Sequence, residues 1–348
     1  MPRKKRRPGR ALMENKTADL LSFCSSIDFG AVNLCREEEV FRGGLNREML
    51  SLCETLPECM RTEATLFLMA YLHAPFGKGL NFVNYFYAPA WSILYWLHRS
   101  RPHSRRPDPK HLKDAKAGHT MAMFLHAFDD HLADDQLATT HLALLMRSQA
   151  WLIMSGAFER LARGVRDGPT VVHGFVNDYY SSIAASGGTG SLDNYCDLFK
   201  KQMATWLVVP VLMAKRAEPG GELADSIQAV YSSFGIAWRL LDDVQDVEKD
   251  MNKGTHSSLY ACLPDEIRKG WDAVKDEKAD GNGGYAGQVL DFILGNGIID
   301  TIRQRIWREL ESAASTADSC CMAEYADELR CLSRPLKEIG RIVLERKP

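Results

Sequence analysis

Apolar side chains recur every three or four residues along most of this chain, which places them on one face of an α-helix. The spacing predicts helices over residues 61–73, 83–98, 114–133, 137–163, 170–184, 192–214, 222–250, 285–315 and 321–345. Glycine and proline clusters, such as those at 187–190 and 219–221, separate these stretches. No stretch alternates between apolar and polar residues as a half-buried β-strand does. The pattern therefore predicts an all-α protein. Because no linker interrupts the middle of the chain, we expect a single-domain helical bundle.

The N-terminal end and the overall charge shape the domain prediction. Residues 1–14 contain a run of Lys and Arg, and we predict a disordered basic tail there, followed by one helical domain over residues 15–348. Basic runs can bind nucleic acid or anionic lipid. The whole chain of 348 residues has a net charge of only −2, however, so nucleic-acid binding is not expected as its function.

Other features of the sequence bear on its location. No apolar run reaches the ~18 residues that indicate a membrane span, so stable membrane insertion is not expected. No apolar run follows the basic N-terminus as it would in a signal peptide. The nine cysteines, with Cys320 and Cys321 adjacent, fit neither a disulfide framework nor a zinc spacing. We therefore expect a cytoplasmic protein. A basic segment over residues 98–110 is expected to form a mobile loop between two helices.

Two clusters of aspartates, far apart in the chain, each lie inside an apolar helical stretch. Their members are Asp129, Asp130, Asp134 and Asp135 in the first cluster and Asp242, Asp243, Asp246 and Asp250 in the second. Residues four apart share one face of a helix. The second cluster therefore forms a stripe through Asp242, Asp246 and Asp250, and the first forms a shorter one through Asp130 and Asp134.

Carboxylates beside a hydrophobic core need a counter-charge, because burying an unpaired charge costs several kcal/mol or forces protonation. If the two helices face each other across a cavity, their stripes form a site with oxygen ligands only. Hard oxygen ligands without Cys or His favour Mg²⁺, here as more than one ion, with substrate phosphate completing the coordination. The alternative is a pair of solvated acidic helix faces. Leu240, Leu241 and Val244 argue against it, because the second helix must also pack.

The two clusters resemble the paired aspartate-rich motifs of the trans-isoprenyl diphosphate synthases and of their relatives, the class I terpene synthases. The stretch 235–246 resembles the second motif of the synthases, with Arg239 where that family usually has Gln. Lys253 lies in a segment similar to the short Lys-containing segment after that motif. Lys201 lies nine residues before a proline, as the family's diphosphate-binding Lys does. The resemblance covers roughly residues 60–345.

The resemblance implies a fold, a reaction and partners. The fold would be the isoprenoid synthase fold, an all-α bundle around a central cavity. The reaction would be the Mg²⁺-dependent ionisation of an allylic prenyl diphosphate, and a homodimer is the implied assembly. The implied metal ligands are Asp129, Asp130, Asp134, Asp242, Asp246 and Asp250.

The resemblance also implies which side chains meet the substrate. The candidates for binding the diphosphate are Lys201, Arg239, Lys249 and Lys253. Of these, Lys201, Arg239 and Lys253 are the candidates for catalysis, since cations stabilise charge on a leaving group. Phe124 and Phe128 precede the first motif, where the family controls product length, and are expected to contact the prenyl chain. For Arg239 an alternative stays open, an intrahelical ion pair with Asp242 or Asp243.

Departures from the family pattern concern the second substrate. Elongating members hold isopentenyl diphosphate with a Gly-Gly-Lys-Arg-type segment, and the nearest match here retains only Lys78 among the cations. They also carry an Arg pair after the first motif, where this chain has no Arg over residues 136–141. Lys cannot replace the two parallel bonds that an Arg donates to a diphosphate. The sequence therefore favours a terpene cyclase with a degenerate isopentenyl diphosphate site. Chain elongation, head-to-head coupling and a noncatalytic partner subunit remain alternatives.

Overall fold

The computed structural model describes residues 20–74, 81–184, 190–280 and 284–345, and no strand occurs in those ranges. Residues 20–26 are helical, and short 3₁₀ helices form at Phe82–Tyr85 and His103–Arg105. The α-helices that follow residues 20–26 are α1 (Arg36–Glu54), α2 (Glu58–Tyr71), α3 (Pro89–Arg99), α4 (Pro109–Ala133), α5 (His141–Ala162), α6 (Gly168–Ala184), α7 (Leu192–Gln202), α8 (Ala204–Ala217), α9 (Glu222–Gln245), α10 (Val247–Lys253), α11 (Ser258–Ala261), α12 (Asp265–Asp280), α13 (Tyr285–Gly295), α14 (Ile298–Ser319) and α15 (Ala323–Glu345). The all-α prediction is confirmed. The predicted basic tail lies outside the described residues.

Four of the predicted helices are interrupted. In the stretch 83–98, residues 86–88 separate the 3₁₀ helix Phe82–Tyr85 from α3, which begins at Pro89. The stretch 192–214 breaks at Met203, and the stretch 285–315 breaks at Gly297, whose φ of 65° ends the helical path. The stretch 222–250 breaks at Asp246, yet the amide of Asp246 still bonds to the carbonyl of Asp242 at 2.9 Å and the amide of Asp250 to that of Asp246 at 2.9 Å. Because the four-residue bonding continues through the break, the apolar period gives no sign of it.

Helices α4 and α9 run parallel and face each other, as the sequence predicts. Near the start of the contact, the Tyr231 hydroxyl lies 3.3 Å from Nε2 of His119. Further along both helices, the rings of His126 and Trp238 have centroids 6.2 Å apart. The order of the contacts is the same on both helices, so their C-terminal ends, which carry the two acidic clusters, lie at the same end of the bundle.

Helix α8 lies in the interior and packs against both α4 and α9. Every residue from Ala204 to Ala214 is buried, which explains why the helix is so apolar. Gly235 of α9 allows the close approach, since a Cβ there would lie 2.3 Å from the Met203 side chain just before α8. No helix in the described part of the chain is both long and apolar enough to cross a bilayer.

The segment 98–110, expected to be a mobile loop, is anchored to the bundle. Arg101 is buried, and its Nη1 lies 2.8 Å from Oε1 of Glu218 at the end of α8. Arg106 folds back and donates from Nε to the Arg101 carbonyl at 2.9 Å. These contacts use the arginines of the segment for its own attachment to the bundle.

Candidate active site

The acidic clusters lie at the C-terminal ends of α4 and α9 and on the short helix α10. Asp134 caps α4 and Asp246 caps α9. The C-terminal end of a helix carries partial negative charge, which disfavours carboxylates and favours cations. Two such ends side by side therefore form a place where added positive charge is stabilising.

Lysines join or neutralise part of this acidic surface. Lys253 of α10 donates from Nζ to Oδ2 of Asp134 at 2.9 Å and so connects the two clusters directly. Burial raises the pKa of Asp134, but hydrogen bonds from Lys253 and Gln136 outweigh it and lower the pKa. Lys249 lies 2.5 Å from Oδ2 of Asp246. Two of the six predicted metal ligands therefore have lysine partners.

Three other carboxylates are under electrostatic strain. Burial, followed by repulsion from neighbouring aspartates, raises the pKa of Asp250 to about 8. Burial also raises the pKa of Asp242 to about 6, although Arg239 opposes the rise. The pKa of Asp130 is raised by burial too, again opposed by Arg239. A group whose charged form is disfavoured in this way is typical of a site that awaits a counter-charge.

These residues fit Mg²⁺ in their chemistry. The donors are carboxylate oxygens, the ligands that Mg²⁺ prefers. Within the described residues, no three His, Cys, Asp or Glu side chains converge on a single point that could hold a metal ion. The clusters form two walls. Asp250, which is only 8% exposed, is the carboxylate whose burial cost a dication would relieve most.

Arg239 forms the predicted intrahelical ion pair and also lies at a cavity, where the predicted diphosphate-binding role would place it. Its Nε donates to the Tyr195 hydroxyl at 2.9 Å and lies 3.0 Å from Oδ1 of Asp243, while Nη1 lies 3.7 Å from Oδ2 of Asp242. The intrahelical ion pair is thus present. Burial lowers the pKa of Arg239, but the neighbouring Asp243 and Tyr195 more than reverse the effect. Arg239 also lines the cavity that contains Asp130.

Two cavities lie beside the acidic walls. Cavity A, about 390 Å³, is bordered by α4, α5, α6, α7 and α9 and is lined by residues that include Asp129, Asp130, Arg147, Gln202 and Arg239. Cavity B, also about 390 Å³, lies between the segment 84–87 and the Asp242 end of α9. Tyr85 borders cavity B, and burial, then the charges of Asp130 and Asp242, raise its pKa to about 12.

A wall of aromatic rings separates the two cavities. Trp238 is at its centre, with ring centroids 5.7 Å from Phe86 of cavity B and 6.2 Å from both Phe199 and His126 of cavity A. Burial lowers the pKa of His126 to about 3, so this imidazole is neutral. The wall lines the interior behind the aspartates with aromatic rings, whose faces can stabilise a nearby positive charge.

The predicted substrate-binding residues differ in how buried they are and in whether they line a cavity. Phe124 and Phe128 are fully buried, pack on each other at 4.8 Å and line neither cavity A nor cavity B. Lys201 is exposed, and its neighbour Gln202 lines cavity A instead. Lys78 lies outside the described residues. The structure does not test the predicted roles of Phe124, Phe128, Lys201 and Lys78, which stay predictions.

Sequence reasoning missed several residues at the site. Arg147 and Tyr179 both bond to Asp129, and Tyr195 bonds to Arg239. Asp243 is buried and accepts from the amide of Ser258 at 2.9 Å, which ties α9 to the segment after α10. The sequence pattern does not indicate these contacts, because they join residues on different helices and depend on how those helices pack.

Solved structures share this architecture. The geranylgeranyl pyrophosphate synthetase of Pyrococcus horikoshii Ot3 is 13% identical, with a TM-score of 0.62, over 91% of this chain and 99% of its own. A polyprenyl synthase of Caulobacter crescentus CB15, complexed with calcium and isoprenyl diphosphate, is 13% identical, with a TM-score of 0.63, over 88% and 98%. A polyprenyl synthetase of Streptomyces coelicolor A3(2) is 12% identical, with a TM-score of 0.61, over 84% and 98%.

These similarities establish the fold and nothing finer. No protein-family model matches the chain, and no curated protein has a significantly similar sequence. The predicted isoprenoid synthase fold is confirmed, as is the resemblance to the trans-isoprenyl diphosphate synthases at the level of architecture.

Proposed function

We propose that this protein is a Mg²⁺-dependent isoprenoid synthase that ionises an allylic prenyl diphosphate between α4 and α9. One observation carries the proposal. Two acidic clusters lie at the same end of two parallel facing helices, and Asp130, Asp242 and Asp250 have raised pKa values there because burial outweighs their compensation. The likeness to prenyl synthases, one of them complexed with calcium and isoprenyl diphosphate, supports it.

In this proposal the aspartates would bind the metal, and the cationic side chains would contact the diphosphate. When bound, Mg²⁺ would neutralise the leaving diphosphate as a Lewis acid. Asp130, Asp242 and Asp250 would hold it, and Asp134 and Asp246 could join them once released by their lysines. Arg239 would face the diphosphate from cavity A. Lys249 and Lys253, freed from their aspartates, would then stabilise the departing charge.

The fate of the carbocation has two candidates. The similar structures are prenyl diphosphate synthases, so they favour prenyl transfer to isopentenyl diphosphate over the cyclisation that the sequence favours. We therefore propose chain elongation as the first candidate. Cyclisation is second, supported by the lack of Arg over residues 136–141, where Gln136 instead bonds to Asp134 at 3.0 Å.

Product identity separates these candidates. The protein is incubated with geranyl, farnesyl and geranylgeranyl diphosphates, each with and without isopentenyl diphosphate, and the products are identified by mass. Elongation predicts longer diphosphates only when isopentenyl diphosphate is present. Hydrocarbon or alcohol products that appear without it would establish the single-substrate reaction instead.

Replacing Arg239 by Gln tests the role of the cavity-facing guanidinium. The variant restores the family's usual residue and should fold, because Gln can still bond to Tyr195. We expect turnover to fall about 10-fold or more, the loss of a charge-assisted contact worth ~1.4 kcal/mol. Single-turnover rates at saturating Mg²⁺ measure the effect. An unchanged rate would reduce Arg239 to an ion-pair partner of Asp242 and Asp243.

We also propose that the protein is a homodimer, with α5 and α6 at the interface. Large apolar side chains are exposed on these helices: Leu144, Leu152, Tyr180 and Ile183. Exposed apolar patches on a folded protein commonly mark association sites. Sedimentation equilibrium should give twice the chain mass, and Leu152→Glu should shift the protein to monomer. A wild-type protein that is monomeric at micromolar concentration would refute this assembly.

A cytoplasmic location is part of the same proposal. All nine cysteines are free thiols. This state fits a reducing compartment, where disulfides are rare.

A further inference from the structure

The first aspartate of the first cluster is held by an arginine that the sequence pattern did not reveal. Arg147 of α5 grips Asp129 with two bonds, from Nε to Oδ1 at 2.6 Å and from Nη2 to Oδ2 at 2.8 Å. The Tyr179 hydroxyl donates to the same Oδ2 at 3.1 Å. Both oxygens of Asp129 therefore already accept hydrogen bonds, and its side chain is only 16% exposed.

Arg147 keeps unused donors at cavity A. Within the described part of the chain, no hydrogen bond or ion pair uses its Nη1. On another side of the same cavity, Arg239 is bonded through Nε and Nη1, and its Nη2 likewise has no partner there. Two guanidinium groups with free N–H donors thus border one cavity beside Asp130.

We propose that Arg147 and Arg239 together bind the diphosphate in cavity A, and that Asp129 positions Arg147 instead of binding metal. The identity of the ligand as a prenyl diphosphate rests on the proposed function. A guanidinium donates two parallel bonds to a phosphate group, and a carboxylate behind it fixes its plane. Arg147 would then supply, from α5, positive charge that residues 136–141 lack.

The competing explanation is that the Arg147 bridge only joins α4 to α5. The chain provides a matched control for it. Arg160 of α5 donates from Nε to Oδ1 of Asp114 of α4 at 2.8 Å, with similar exposure of both side chains. This bridge joins the same two helices but does not line cavity A. Arg160→Gln therefore removes an ion pair between the same two helices, made by one hydrogen bond, without touching the proposed site.

Calorimetric titration of the full chain with inorganic diphosphate, in the absence of metal, measures the inference directly. We expect Arg147→Gln to weaken binding about 10-fold or more, equivalent to ~1.4 kcal/mol. Arg147→Lys should recover part of the affinity, since it restores charge without the fork. Arg160→Gln should stay within about twofold of the wild type, and thermal unfolding of each variant verifies folding.

A second titration, with Mn²⁺ as the probe for the metal, tests the role of Asp129. Asp129→Asn should weaken diphosphate binding and leave Mn²⁺ affinity within about twofold. Asp130→Asn should instead weaken Mn²⁺ binding. Loss of Mn²⁺ binding in Asp129→Asn would overturn the positioning role and return Asp129 to the metal ligands.

The remaining outcomes separate this inference from the proposed function. Equal weakening of diphosphate binding by Arg147→Gln and Arg160→Gln would make the Arg147 bridge purely structural and overturn the inference. If the protein turns over a prenyl diphosphate but Arg147→Gln leaves its diphosphate affinity unchanged, the inference is overturned and the proposed function stands. Arg147-dependent diphosphate binding without any prenyl turnover would support the inference and refute the function.

Discussion

Asp130→Asn and Asp242→Asn should each lower the rate of diphosphate release from an allylic prenyl diphosphate by about 10²-fold or more. Each substitution keeps the side-chain volume and removes one negative charge from a different wall of the site. Loss of one preorganised electrostatic contact in a dry site commonly costs ~2.7 kcal/mol or more of transition-state stabilisation, which is two orders of magnitude in rate. Diphosphate release at saturating Mg²⁺ measures the effect.

Asp135→Asn is the control for these two variants. Asp135 directly follows Asp134 but is exposed and has a φ of 55°, a conformation that Asn adopts readily. Its substitution changes the same charge at the edge of the same cluster and should change the rate less than twofold. Retained turnover in Asp130→Asn or Asp242→Asn would contradict the assignment of the two walls.

Asp250→Asn should stabilise the metal-free protein at neutral and alkaline pH by about 2 kcal/mol or more, and should reduce turnover. Asp250 is 8% exposed, and no hydrogen bond or ion pair reaches its carboxylate within the described residues. Its pKa is raised from 3.8 to about 8, so the folded state favours the protonated form. Its contribution to folding is complete below pH ~4 and is lost as the pH rises through about 8. Asn imitates the protonated carboxyl and avoids that loss.

Chemical denaturation in EDTA at several pH values measures this effect. The stabilisation should be largest near pH 8 and should vanish near pH 4, where both side chains are neutral, so the low-pH comparison is the control. Added Mg²⁺ should stabilise the wild type more than Asp250→Asn, because only the wild type gains a charged ligand for it. A variant that is less stable than the wild type at pH 8 would show that Asp250 already has a favourable partner.

Much of the fold could be predicted from the period of apolar residues, but helix breaks and one helix could not. The breaks at Met203 and Asp246 leave that period intact, so 192–214 and 222–250 were each predicted as one helix. Helix α1 was missed although Phe41, Leu45, Met49 and Leu52 are buried along it. Its apolar stripe is narrow, and three consecutive Glu residues at its start conceal it.

The candidate site was predictable as far as it depends on residues within one helix. Asp242, Asp246 and Asp250 share a face because they are spaced four residues apart on a helical path. The ion pair between Arg239 and Asp243 follows from the same four-residue spacing. The grip of Arg147 on Asp129 was not predictable, since it depends on the packing of α4 against α5. The exposure of Lys201, whose neighbour Gln202 lines cavity A instead, likewise depends on how α7 packs against the helices around it.

We propose that the chain ionises allylic prenyl diphosphates with metal held between α4 and α9. Release of inorganic diphosphate tests it most directly, with geranyl, farnesyl and geranylgeranyl diphosphates supplied in turn, with and without isopentenyl diphosphate. We expect release from at least one of them in Mg²⁺, loss of release in EDTA and recovery when Mg²⁺ is restored. No release from any of them in Mg²⁺, or release that continues undiminished in EDTA, would contradict it.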